Sequence, residues 1–158
     1  IATGGSDAKL QRVLAYGADH VINTEHGFRE QVKALTGGRG ADVIYDPVGG
    51  DIFDESTRCI NFDGRLLIIG FTSGRIASVP TNIPLIKGFS VMGVRAGEYG
   101  RQFPEKGAEN LQIIWDWVRE EKTRPHVHAE LPLSQSVEGF RMLHQREVIG
   151  KLVICPDR

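Results

Sequence analysis

The sequence predicts an α/β fold in which parallel strands alternate with helices. Segments that favour strands and segments that favour helices follow one another along all 158 residues, and such alternation is typical of a parallel sheet with right-handed crossovers. Two strand segments, 41–46 and 64–70, have near-continuous apolar centres. That composition is typical of strands covered on both faces by helices.

In the first half of the chain, each predicted element has a local signal. Leu10, Val13 and Leu14 recur at helical spacing, and Gly17 follows them as a glycine does just past a helix C-terminus. Asp51 is predicted to be the N-cap of a later helix. The elements predicted in this half are helix 7–16, strand 19–23, helix 28–35, strand 41–46, helix 51–60 and strand 64–70.

The second half continues the alternation. Its longest predicted helix places four apolar residues on a face expected to point inward, namely Leu111, Ile114, Trp115 and Val118. Phe140 and Leu143 are expected to face inward from a later helix. The elements predicted in this half are helix 82–87, strand 89–94, helix 105–121, strand 127–131, helix 134–144 and strand 148–154.

The first nine residues predict which part of such a fold is present. They correspond to the end of a buried strand, a Gly/Ser turn and a helix start, and no earlier strand or glycine-rich phosphate loop precedes them. We therefore expect a Rossmann-type, doubly wound parallel sheet that lacks its first β-α unit. Residues 1–158 are then predicted to be a partial dinucleotide-binding domain.

Composition and charge exclude several classes of function. The hydrophobic content of 41% and charged content of 25% are typical of a soluble globular protein, and a net charge of −1 argues against a nucleic-acid partner. No apolar run approaches the length of a membrane span. Cys59 and Cys155 form no CxxC pair, which predicts reduced thiols, Cys59 an inert buried one, in a cytoplasmic protein.

Glycine-rich turns are expected to gather at one edge of the predicted sheet. Ligands of such sheets lie beyond the carboxyl ends of the strands, and glycine lets the backbone approach a ligand closely. Five loops are predicted to occupy this edge, at residues 3–6, 23–24, 47–50, 70–74 and 95–97. Together they favour a nucleotide site over simple turns.

The end of the second strand of the fold indicates which nucleotide is bound. An NAD site usually places an acidic side chain there, bonded to the ribose 2′-hydroxyl. This chain instead has the sequence TGGS at 3–6, with Lys9 one turn into the helix, and Asp7 is assigned to the helix start. The Ser6 hydroxyl, the Lys9 cation and the helix N-terminus suit a 2′-phosphate. The sequence therefore predicts NADP rather than NAD.

Other catalytic and metal chemistries find little support. The chain has no nucleophile elbow and no Walker loop, so no catalytic residue is predicted. Hydride transfer demands little of side chains, because the cofactor supplies the reactivity. His126, His128 and Glu130 share one strand face, but no fourth ligand is evident. No metal site is predicted.

The order of these motifs resembles the medium-chain dehydrogenase/reductase superfamily, and within it the zinc-free NADPH:quinone oxidoreductase branch. The motifs are TGGSDAK (3–9), GADHVIN (17–23), TGGRGADV (36–43), DPVGG (46–50), GRLLIIG (64–70) and GKLVI (150–154). The resemblance implies hydride transfer from NADPH to a quinone or another conjugated carbonyl. It also implies an N-terminal catalytic domain outside this chain, so that the chain alone is expected to be inactive.

The resemblance assigns residues to the adenosine half of the cofactor. Ser6 and Lys9 fall where the branch binds the 2′-phosphate. Thr24 falls where relatives often place a Tyr or His beside the adenosine, and the shorter Thr can donate a hydrogen bond but cannot stack. Val48 and Gly49 fall along the ribose and pyrophosphate.

The resemblance also assigns residues to the nicotinamide half and to a subunit contact. Val94 and Arg95 fall where relatives touch the nicotinamide carboxamide. Strand 89–94 falls where relatives pair with a second copy, which implies a homodimer. The loop expected to approach the nicotinamide, mainly through its backbone, consists of Gly70, Phe71, Thr72 and Ser73.

Three alternatives stay open at this point. An enoyl-thioester reductase of the same superfamily would share every motif above, since the pocket that decides the substrate lies largely in the catalytic domain. A nucleotide-binding module without catalysis, acting as a sensor or scaffold, would also fit a chain without that domain. A methyltransferase-like fold is weaker, because it would place an acidic residue where 3–5 reads TGG.

Overall fold

The computed structural model describes residues 1–156. The chain divides into two compact units, Ile1–Ala96 and Gly97–Arg158. Every strand pairing among the described residues is parallel, as predicted. The prediction that residues 1–158 are part of one dinucleotide-binding domain stays a prediction.

The first unit contains five strands and the helices that connect them. The strands and helices, in chain order, are β1 (Ala2–Gly4), α1 (Asp7–Ala15), β2 (Val21–Asn23), α2 (Arg29–Leu35), β3 (Ala41–Asp46), α3 (Gly50–Cys59), β4 (Ile60–Ile68), α4 (Asn82–Lys87) and β5 (Ser90–Gly93). A short 3-10 helix, Thr24–His26, follows β2. The strand–helix order matches the predicted order throughout this unit.

The second unit is built from helices around one strand pair. Its elements are α5 (Ala96–Gln102), which begins on the last residue of the first unit, α6 (Pro104–Arg119), β6 (Val127–Pro132), α7 (Ser136–His144) and β7 (Lys151–Cys155). β6 pairs with β7 in parallel. Helix α5 was not expected from the sequence, which predicted a loop at 95–97.

The strands of the first unit form two hydrogen-bonded sets. β1 pairs with β2, and β3, β4 and β5 pair in that order. In the doubly wound strand order, the first strand lies between the second and the fourth. The break between β1 and β3 therefore falls at the position that this order gives to its first strand.

The apolar core of the first unit consists of two clusters of buried residues that both include a residue of α3. One cluster consists of Ile22, Phe28, Val32 and Cys59. The other consists of Phe53, Ile60, Leu66 and Phe89. Ile44 of β3 packs against both clusters, but Val43 is 46% and Tyr45 is 67% exposed. Because side chains alternate between the two faces of a strand, only one face of β3 is covered by the core, and the prediction that both faces are covered is wrong for this strand.

Several sequence predictions are corrected by the structure. Gly49, and not Asp51, is the N-cap of α3, because its φ of 70° turns the chain into the helix two residues earlier. β4 begins at Ile60 and ends at Ile68, so residues 69 and 70 lie beyond the strand. β7 begins at Lys151, three residues after the predicted start.

The predicted inward faces of the second unit are also corrected. Trp115 and Leu111 of α6 are each 53% exposed, and Phe140 of α7 is 71% exposed. Among the described residues of this unit, only Gly139 and Val148 are buried. Helical spacing shows which apolar residues share a face, but it does not show whether another element covers that face.

Cys59 provides a test of the core. It is 1% exposed, and burial, reinforced by the charge of Glu55, raises the pKa of its thiol from 9.0 to about 11. The thiolate is the reactive form, so at pH 8 iodoacetamide is expected to label the half-buried Cys155 and to spare Cys59 until the chain unfolds. Mass spectrometry of the labelled peptides measures both. Labelling of the two cysteines at equal rates in native protein would contradict the packing.

The same shift predicts a pH dependence of stability. An unfolded chain loses the thiol proton near its ordinary pKa of 9.0, whereas the folded state keeps it to about 11. The free energy of unfolding that this group contributes is therefore present below pH 9 and is lost as the pH rises towards 11. Cys59→Ala is expected to flatten this part of the profile.

Candidate nucleotide-binding site

A buried carboxylate shapes the loop after β3. Asp46, the last residue of β3, is only 3% exposed. Its Oδ1 accepts hydrogen bonds from the backbone N–H groups of Val48 at 2.8 Å and Gly49 at 2.9 Å. The side chain thus holds the turn that leads into α3, and it fixes the conformation of two residues predicted to line the cofactor.

The loop after β4 lies against this turn through its backbone. The N–H of Thr72 donates to the carbonyl of Pro47 at 3.2 Å, and the N–H of Ser73 donates to the carbonyl of Val48 at 3.0 Å. The two loops therefore form one structure at the carboxyl ends of β3 and β4. The sequence placed these loops at one sheet edge, and the structure brings them into contact.

Glycine is required at the contact between the two loops. A Cβ on Gly49 would lie 3.0 Å from the Phe71 ring and 3.2 Å from the carbonyl oxygen of Arg75. The Arg75 guanidinium then ties the far end of the loop to α3, at 2.8 Å from Asp51 Oδ1 and 2.5 Å from Asp54 Oδ2.

Val94 extends this edge to the third strand of the set. Its N–H donates to the carbonyl of Ile68 at 3.0 Å, so it follows β5 immediately beside the end of β4. Gly70 lies next to the turn after β3, since a Cβ on Gly70 would be 3.2 Å from the carbonyl oxygen of Pro47. Arg95 comes next and precedes α5.

The loop after β1 forms a second group of predicted residues. Ser6 is the N-cap of α1 and its side chain makes no capping hydrogen bond, while Asp7 begins the helix. Lys9 lies in the first turn and is partly exposed. Thr24 follows β2, and its hydroxyl lies 3.9 Å from the position of a Cβ on Gly5. Ser6 and Thr24 therefore belong to neighbouring loops, as predicted.

A groove lies between β1 and β3. It has a volume of about 570 Å³. Ala2 and Thr3 line it on the side of β1, while Asp46, Pro47 and Val48 line it at the carboxyl end of β3. Of the predicted cofactor residues, Val48 lines this groove. The sequence did not predict this groove.

Three residues of the site were missed by sequence reasoning. Asp46 stands in the DPVGG motif directly before the turn. An Asp in this position is a signal for hydrogen bonds from the backbone N–H groups of the turn to its side chain. Arg75 and Asn23 make their contacts with residues 24 and 16 positions away. No local pattern identifies such distant pairs.

The described residues offer no metal centre and no membrane span. Among residues 1–156, no group of three or more His, Cys, Asp or Glu side chains could hold a metal ion. Within the same residues, no helix combines the length and the apolar character needed to cross a bilayer.

Comparisons with known proteins agree with this geometry. A quinone oxidoreductase-like protein 2 of Bos taurus is 36% identical over 155 residues, which cover 98% of this chain and 44% of the relative. The chain therefore spans less than half the length of this relative. The match includes every predicted cofactor residue, since all of them lie between Ser6 and Arg95.

Solved structures show the same fold. The Escherichia coli quinone oxidoreductase in complex with NADPH matches with a TM-score of 0.86 and 28% identity, over 98% of this chain and 48% of that one. A mycobacterial protein complexed with NADPH matches with a TM-score of 0.87 and 25% identity, over 98% and 49%. The predicted doubly wound α/β fold class is confirmed.

A family model settles the membership. The model described as zinc-binding dehydrogenase matches residues 1–113, which contain all of the loops described above. Together with the quinone oxidoreductase relatives, this confirms the predicted superfamily. The chain belongs to the zinc-binding dehydrogenase family of the medium-chain dehydrogenase/reductase superfamily.

Proposed function

We propose that this chain is the cofactor-binding part of an NADPH-dependent oxidoreductase that transfers a hydride to a quinone or another conjugated carbonyl. The observation that supports NADPH as the cofactor is the sequence at the end of β1. Gly4, Gly5 and Ser6 stand there in place of an acid, and Lys9 follows in the first turn of α1. A helix N-terminus with a hydroxyl and a cation suits a phosphate.

Each group of loops has a part in this proposal. Ser6 and Lys9 hold the 2′-phosphate, and Thr24 donates a hydrogen bond beside the adenosine. The turn organised by Asp46 presents Val48 and Gly49 to the ribose and pyrophosphate.

The loop after β4 and the residues after β5 serve the nicotinamide half. Gly70, Phe71, Thr72 and Ser73 orient that ring mainly through their backbone, while Val94 and Arg95 contact the carboxamide. Bound NADPH would supply the hydride itself. The chain contributes orientation, which can account for much of the rate of such a transfer.

Zinc takes no part in this proposal. The family name includes zinc, yet the described residues present no set of ligands for it. His126, His128 and Glu130 are not among any such group, so no step is derived from a metal.

The first test compares nucleotides. Titration calorimetry with NADPH and NADH, on the 158-residue chain and on the full-length product of its gene, is expected to show tighter binding of NADPH. Lys9→Ala is expected to weaken the binding of NADPH by about tenfold or more, because the lost interaction is with the 2′-phosphate. The affinity for NADH is expected to stay unchanged. Quinone and enone acceptors then test the reaction.

A matched control lies on the same helix. Arg12→Ala removes the same charge one turn further along α1, and it is expected to change NADPH affinity less than twofold. Equal effects of the two variants would mean that a general surface charge attracts NADPH. If the full-length protein binds neither nucleotide, the reductase assignment falls and a non-catalytic scaffold takes its place.

We also propose that two copies pair through β5. Among the described residues, β5 bonds to β4 alone, so its other edge presents backbone groups for a second strand. Because the N–H of Val94 points to β4, strand alternation directs that of Val91 to the outer edge. Sedimentation is expected to give about twice the chain mass of 17.5 kDa, and Val91→Pro should give well-folded monomer. Wild-type monomer would refute the dimer.

A further inference from the structure

We infer that Asn23 sets the preference for the phosphorylated nucleotide by holding the carboxylate of Asp7. This inference rests on the proposed function, since it concerns the site at the start of α1. An acid at this edge normally accepts a hydrogen bond from the ribose 2′-hydroxyl of NAD, and it would repel a 2′-phosphate. Asp7 is the first acid after β1, three residues beyond its end.

The structure shows where this carboxylate is engaged. The side-chain amide of Asn23 donates from Nδ2 to Asp7 Oδ1 at 2.6 Å. The parallel register places Asn23 directly opposite Gly4, so the end of β2 lies beside the loop that leads into α1. Asp7 therefore bonds across to β2.

The orientation of the Asn23 amide is fixed by a second bond. Its Oδ1 accepts from the N–H of Glu25 at 3.0 Å, which caps the 3-10 helix Thr24–His26. A flipped amide would place its oxygen against the Asp7 carboxylate and its NH₂ against an N–H group, and both contacts would be repulsive. Asn23 consequently presents a donor, and not an acceptor, to Asp7.

The pair changes what the start of α1 offers to a nucleotide. The bond from Asn23 to Asp7 Oδ1 holds the carboxylate towards the end of β2, and this position decides whether a 2′-hydroxyl or a 2′-phosphate meets it. Ser6 makes no capping bond, so its hydroxyl and the Lys9 ammonium are the donors that remain for a 2′-phosphate. Asp7 is exposed and Asn23 is half-buried, so a nucleotide bound at this edge would sense the position of the carboxylate.

Asn23→Ser is the variant that separates this role from a structural one. Serine keeps an oxygen that can cap the N–H of Glu25, but it is too short to hold Asp7. The released carboxylate should accept from the 2′-hydroxyl of NADH and repel the phosphate of NADPH. The NADPH/NADH affinity ratio is expected to fall by about tenfold, the effect of one hydrogen bond to a charged group.

A double-mutant cycle with Asp7→Asn tests the mechanism. Both nucleotides are titrated calorimetrically against four forms of the full-length protein, which are the wild type, each single variant and the double variant. Asn23→Ser is expected to alter the ratio by less than twofold in the Asp7→Asn background, because no carboxylate is left to release. Dependence of one substitution on the other is the signature of a direct pair.

The outcomes are distinguishable. A wild type that prefers NADPH, with a ratio that Asn23→Ser leaves unchanged, overturns the inference and leaves the proposed function standing. A loss of both affinities by the same factor, or an equal fall of the ratio in the Asp7→Asn background, also overturns it, because each would show a purely structural role. A wild type without preference for NADPH removes the proposed cofactor and this inference together.

Discussion

Leu66→Ala is expected to lower the free energy of unfolding by about 2–5 kcal/mol, because it removes a fully buried side chain and leaves a cavity. Leu66 has 0% exposure. It lies in β4 with Ile44 opposite on β3 and Val91 opposite on β5. Neighbours on both strands and on the helices are therefore unable to fill the space without losing their own contacts.

Leu85→Ala is the matched control for this prediction. Leu85 is 82% exposed on α4, so the same chemical change should alter stability by no more than about 0.5 kcal/mol. Urea unfolding followed by far-UV circular dichroism gives both values. Similar losses for the two variants would show that Leu66 does not lie in the core.

Asp46→Ala should have the largest effect on the site. The variant leaves the N–H groups of Val48 and Gly49 without the carboxylate that accepts from them at 2.8 and 2.9 Å. A fully buried donor left unpaired costs about 1–3 kcal/mol. Because the Gly49 bond is buried and the Val48 bond is only partly buried, we expect a total loss of about 2–4 kcal/mol. The loop after β4 should loosen as well, because Thr72 and Ser73 donate to carbonyls of the same turn.

Asp46→Asn separates the acceptor from the charge. The amide retains an oxygen in place of Oδ1, so this variant should keep most of the stability that Asp46→Ala loses. Unfolding by urea measures the stability, and amide hydrogen exchange at Thr72 and Ser73 reports on the loop. Native exchange rates in Asp46→Ala would show that the turn does not depend on this side chain.

The sequence predicted the strand–helix order well because each element carries a local signal. Leu10 and Val13 mark α1 by spacing, and the apolar run around Leu66 marks β4. The element ends were predicted less well. The start of α3 depends on the positive φ of Gly49, and that conformation is set by packing against Phe71 and by bonds to Asp46.

Burial in the second unit shows a second reason why prediction from sequence is incomplete. The spacing of Leu111, Ile114 and Trp115 identifies one apolar face of α6, yet each of these side chains is about half exposed. A periodic pattern describes a helix by itself. Whether the face is buried depends on a second surface, which the pattern does not contain.

The candidate site divides in the same way between local and distant information. Local sequence was sufficient to show which loops carry glycine and hydroxyl groups, and that Ser6 and Lys9 stand at the start of a helix without an acid at the end of β1. These are properties of neighbouring residues. The parallel direction of the strands then follows from the alternation of elements, because parallel strands need crossover connections.

The contacts between those loops depend on the folded sheet. It places the Asp46 carboxylate under the turn, ties Arg75 to α3 and directs the amide of Asn23 to Asp7. These side chains act on partners that lie at the ends of different elements. Their hydrogen bonds depend on distances of about 3 Å between atoms, and folding of the sheet, not the order of residues, brings the partners that close.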